Sequence, residues 1–66
     1  MPPKHPDITV TLTGQDGNAF AILGRCRAAA RDARLSEEEI AGFMDEAMAG
    51  DYGHLLQTAM RWFEIR

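Results

Sequence analysis

The stretch Ile8-Thr-Val-Thr-Leu-Thr-Gly-Gln-Asp-Gly-Asn-Ala-Phe20 constrains this chain most, because it changes backbone habit within a few positions. Ile8, Val10 and Leu12 alternate with Thr9, Thr11 and Thr13, the period of a half-buried strand. Gly14 and Gly17 then bracket Gln15 and Asp16, which suits a tight turn and close backbone approach. Asn18 is a good N-cap for the alanine-rich segment that follows. A strand that enters a helix through a glycine loop leaves backbone N–H groups at the helix start, a setting that favours an anion. Gly14, Gln15, Asp16, Gly17 and Asn18 are therefore candidate ligand-binding residues, with a plain capped turn as the competing reading. The glycine spacing is too short for a dinucleotide fingerprint, and no Gly-Lys-Ser/Thr follows to mark a nucleoside triphosphate site.

The helix after this loop is expected from Ala19 to about Arg34, with Ile22, Leu23, Cys26, Ala29, Ala30 and Ala33 facing the core. Arg27, Arg31 and Arg34 follow on an adjacent face and form a second candidate binding set, because guanidinium groups grip phosphate bidentately. A solvated helix face looks the same. Gly24 inside this helix costs about 1 kcal/mol against alanine, so something is expected to approach the backbone there. A symmetry mate packing at Gly24 would bring two arginine stripes together in a pocket between protomers.

Ser36-Glu-Glu-Glu39 reads as a capping box, opening a second helix with Ile40, Phe43, Met44, Ala47 and Met48 as its apolar stripe. Gly50 is expected to stop it as a C′ residue, and Asp51 to cap a third helix. There Tyr52, Leu55, Leu56, Ala59, Met60 and Phe63 continue an apolar face, with His54, Thr58 and Arg61 on the polar side. His54 joins the candidate binding residues, although no nucleophile or metal partner stands near it in the pattern. Trp62 reads as a packed edge aromatic or a base-stacking platform. The tail from Trp62 to Arg66 alternates, so a short strand is expected to pair with Ile8–Leu12.

The fold class is thus α+β: a short N-terminal strand, three helices and a short C-terminal strand in one small domain over 8–66. Residues 1–7, with three prolines, are expected to be a disordered tail without the features of a signal peptide. Sixty-six residues bury a small core, and chains of this size lean on disulfides, metals or self-association. Cys26 is alone and the two histidines are distant, so no metal or cofactor is expected. Homo-oligomerisation is the remaining support, and a dimer could join two short sheets into one. The net charge of −3 argues against general nucleic-acid binding. Residues 25–34 carry four arginines against Asp32, a balance of +3, whereas residues 36–51 carry six carboxylates and no cation, a balance of −6. The folded surface is expected to be polarised. No apolar run approaches the ~20 residues of a membrane span, so a cytoplasmic protein is expected.

Two blocks, Thr13-Gly-Gln-Asp-Gly-Asn-Ala-Phe20 and Ala49-Gly-Asp-Tyr-Gly-His-Leu-Leu56, resemble paired blocks in a family of small proteins of bacteriophages, prophages and plasmids. The resemblance covers Ile8 to Arg66 and includes an aromatic-rich last strand. Gly53 stands where that family often has an acidic residue, which puts any role for that position in doubt in this chain. The family is without assigned catalytic residues, and none is carried over. What the resemblance implies is a setting in a bacterial host: a non-enzymatic counter-defence protein. One mode is sequestering an anionic nucleotide signal, a cyclic nucleotide or ADP-ribose derivative, in a homo-oligomer. The alternatives are direct inhibition of a host defence complex, in the manner of an anti-CRISPR protein, or a structural accessory role.

Overall fold

The computed structural model describes residues 2–12 and 18–66. Strand β1 (His5–Val10) leads to helices α1 (Ala19–Asp32), α2 (Glu37–Ala47) and α3 (Tyr52–Trp62), and strand β2 (Phe63–Ile65) follows directly. The order strand, three helices, strand is the α+β arrangement expected from the periodicity. The two strands pair in parallel, with His5 beside Phe63, Thr9 beside Glu64 and Val10 beside Ile65. A parallel pair needs a long crossover, and the three helices supply it. The register breaks between His5 and Thr9, a segment that contains Pro6, which has no N–H to give to a ladder. Pairing continues past the strand ends, where Leu12 N–H donates to the Arg66 carbonyl at 2.7 Å and Arg66 N–H to the Val10 carbonyl at 2.9 Å.

Of the tail expected over 1–7 to be disordered, residues 5–7 belong to this strand, which begins at His5 rather than Ile8. Lys4 N–H already donates to the Arg61 carbonyl at 2.7 Å. Its ammonium lies 4.1 Å from the centre of the Trp62 ring, a cation–π contact. The His5 ring sits 5.8 Å from Trp62 and 6.1 Å from Phe63. Prolines exclude a helix but tolerate an extended edge, and the aromatic partners that hold this segment lie at the far end of the chain.

Ile8 and Val10 point into the core, which they share with Ile22, Leu23, Cys26, Ala30, Ile40, Phe43, Ala47, Leu55, Ala59, Trp62 and Phe63. Phe43 meets Trp62 and Phe63 edge-on, at centroid distances of 5.4 and 5.0 Å, the geometry ring quadrupoles favour. The inner face of α3 is Leu55, Thr58, Ala59 and Trp62, a rotation from the expected stripe that leaves Tyr52 and Met60 exposed. Thr58 can be fully buried because its hydroxyl donates to the His54 carbonyl at 2.9 Å. Trp62 packs in the core, and its indole N–H donates to Glu46 Oε2. Among the described residues, no helix is long and apolar enough to cross a membrane.

Candidate anion-binding groove

The turn between α1 and α2 decides what these helices can present. Helix α1 ends at Asp32, two residues short of the expected Arg34, with Ala33 as its C-cap. Arg34 N–H donates to the Arg31 carbonyl at 2.9 Å, and Leu35 N–H donates to the Ala30 carbonyl at 3.0 Å. These are the paired bonds of a Schellman ending. Its C′ position needs a left-handed residue, and Arg34 takes it with φ of 64°. Leu35 is then folded back, half-buried, against the core. The Ser36 hydroxyl accepts from Glu39 N–H at 3.1 Å, so α2 starts immediately as the capping box implies.

Between the two helices lies an open groove of about 720 Å³ lined by Arg27, Arg31, Leu35, Glu37, Ile40, Ala41 and Met44. Leu35, Ile40, Ala41 and Met44 make its apolar surface. Arg27 and Arg31 stand one turn apart on α1, roughly 5–6 Å between β-carbons. Neither has an ion-pair partner among the described residues. Glu37, on α2, supplies a single carboxylate acceptor. Two guanidinium groups over an apolar surface suit a ligand that carries a phosphate or carboxylate together with a flat or aliphatic body. The charged groups of the groove lining are the two guanidinium groups and the Glu37 carboxylate.

The sequence-derived candidates do not all meet here. Gly14, Gln15, Asp16 and Gly17 lie outside the described residues. Asn18 caps α1, its side-chain oxygen accepting from Phe20 N–H at 2.8 Å. From Ala19 to Arg27 the helix rises about 12 Å at ~1.5 Å per residue, so the cap and the arginine pair form separate ends of α1. Arg34 sits beyond the helix and does not line the groove, because the Schellman turn carries it off the stripe that Arg27 and Arg31 share.

His54 is also elsewhere. The helical period places Glu37, Ala41 and Met44 on one flank of α2 and Glu39 and Glu46 on the other. His54 belongs to the second flank, where Nε2–H donates to the Glu46 carbonyl at 2.8 Å. A carbonyl can only accept, so that nitrogen carries the proton. His54 N–H also donates to Asp51 Oδ1 at 2.9 Å, the expected cap of α3. Gly50 is not the C′ residue of α2, whose C-cap is Met48. It is glycine because a β-carbon there would lie 2.8 Å from both Cβ and Cγ of His54. The Gly50-Asp-Tyr-Gly-His54 junction is thus a latch joining α2 to α3. On the same flank His5 Nε2 lies 3.4 Å from Glu39 Oε2, a contact the sequence pattern did not suggest.

Leu35, Glu37, Ile40, Ala41 and Met44 line the groove without standing out as site residues in the sequence. The usable signal was the spacing of residues 37, 41 and 44, a flank adjoining the core stripe of α2. Cys26 is fully buried, and desolvation pushes its thiol up from 9.0 to about 11, which makes it unreactive packing. Among the described residues no cluster of three or more histidine, cysteine or acidic side chains could hold a metal ion. Comparison with protein-family models, with curated proteins and with solved structures gives no match.

Proposed function

We propose that this protein is a non-enzymatic binding module that sequesters a small anionic nucleotide signal, with counter-defence in the cytoplasm of a bacterial host as its setting. The observation that supports this reading is the α1–α2 groove, where Arg27 and Arg31, without an ion-pair partner among the described residues, flank an apolar surface. A nucleotide offers both halves of the match: phosphate for the guanidinium groups and a base for Leu35, Ile40 and Met44. Glu37 would accept from an exocyclic amine or a ribose hydroxyl. Self-association is a separate expectation, since a core this small gains from a second copy.

Calorimetry against cyclic dinucleotides and ADP-ribose derivatives tests it. Arg27→Glu or Arg31→Glu should lower affinity at least tenfold, about 1.4 kcal/mol, while circular dichroism stays unchanged. Added salt should weaken wild-type binding in parallel. If no member of the panel binds, the nucleotide reading fails.

One observation favours direct contact with a host defence protein instead. The outward face of α2 presents Glu38 and Asp45, which have no ion-pair partner among the described residues, and the exposed Met48 follows at its end. Capture of a basic nuclease or helicase subunit by a protein that binds no nucleotide would select this second reading.

A further inference from the structure

Glycine stands in the interior of both α1 and α2, at Gly24 and Gly42, and each costs about 1 kcal/mol against alanine. Nothing among the described residues accounts for either, since an added β-carbon would meet none of their atoms within 4 Å at Gly24 or at Gly42. Both lie on outward helix faces. Around Gly24 the helical period collects Phe20, Arg27, Ala28 and Arg31, all exposed, with Phe20 at 80%. Around Gly42 it collects Glu38, Glu39, Asp45 and Glu46, also exposed. One face is low and basic, the other low and acidic.

We infer that these two faces pair between copies of this chain, α1 of one protomer lying on α2 of its partner and the reverse across a two-fold axis. Charge complementarity selects the occupant: Arg27 and Arg31 oppose Glu38 and Asp45 of the second copy, and each contact is made twice. The glycines let the helix backbones approach closely, and the covering helix takes Phe20 out of water. A two-fold arrangement closes on itself, so the assembly stops at a dimer. The inference goes beyond the nucleotide reading and does not require it. It adds one consequence: a bound anion and the partner's carboxylates use the same guanidinium groups, so they compete.

Size-exclusion chromatography with light scattering, on the full chain at micromolar concentration and low salt, should give a dimer that dissociates as salt rises. Arg31→Glu alone and Asp45→Arg alone should each be monomeric, because each places like charges in both contacts. Mixing these two variants should restore a dimer, as should the double variant Arg31→Glu/Asp45→Arg. Gly42→Leu should remain folded by circular dichroism, given the open space above it, and be monomeric. A wild type that is monomeric at low salt overturns the proposal. So does a dimer that survives both single reversals, or a charge exchange that fails to restore association. Asp45→Arg keeps the nucleotide test separate, since it removes the dimer contact and leaves every groove-lining residue in place.

Discussion

Replacing Arg34 with glycine should stabilise the protein, and the size of the gain follows from one dihedral angle. Arg34 holds φ of 64° to complete the ending of α1. For a residue with a β-carbon that conformation costs roughly 1–2 kcal/mol, which glycine relieves. Glycine returns part of this by loosening the unfolded chain, about 0.4–1 kcal/mol. The difference between Arg34→Ala and Arg34→Gly isolates the backbone term, because both remove the charge. That difference should be about 0.5–1 kcal/mol in favour of glycine. In a domain of this size it corresponds to a melting temperature about 2–8 °C higher. Thermal melts followed at 222 nm read it directly. Any anion binding should be unchanged by either variant, since Arg34 does not line the groove. Equal melting temperatures for the two variants would refute the strain argument, and a large loss of binding would return Arg34 to the site.

Gly50→Ala should destabilise by about 1–3 kcal/mol, because the new methyl displaces the His54 ring and costs its bond to the Glu46 carbonyl; denaturant titration measures it, and an unchanged midpoint would remove the latch. Asn18→Ala should cost about 1 kcal/mol through loss of the α1 cap, and an unaltered melt would contradict that cap. Cys26 contributes a pH dependence of defined sign. Its folded-state pKa of about 11 lies above the unfolded 9.0, so its stabilising term is intact below pH 9 and disappears as pH rises through 11. Urea midpoints should therefore fall more steeply between these values in the wild type than in Cys26→Ala, and identical slopes would show that the thiol does not titrate with unfolding.

Helices announce themselves in this sequence through their caps. Asn18, Ser36 and Asp51 each accept the backbone bond their side chains suggest, and the terminal strand pairs where its alternation points. The failures have a common cause: local pattern does not encode a distant partner. Lys4 and His5 look like a polar tail until Trp62 and Phe63 lie beside them. Thr58 scores as polar, yet a bond to the carbonyl four residues back frees it to enter the core, which turns α3 and exposes Met60. The arginine pair was visible on α1, but its apolar counterpart arises only when the Arg34 turn folds Leu35 and the flank of α2 beside it. Gly50 reads as a helix stop in the sequence, but its decisive neighbour is a ring four residues onward.

The parallel pairing of β1 with β2 also sets an order of events. His5 meets Phe63 across nearly the whole chain, so this contact closes the longest loop available and carries the largest entropic charge. The α2–α3 contacts, from Glu46 to His54 and Trp62, span far shorter separations. Folding is therefore expected to condense first around α2 and α3, with the two strands zipping together after the rate-limiting barrier. Kinetic φ-values near zero at Val10, and clearly higher at Leu55, would mark that sequence; the reverse pattern would place the sheet in the nucleus. Substitutions in the strands would then shorten the lifetime of the native state without slowing its formation.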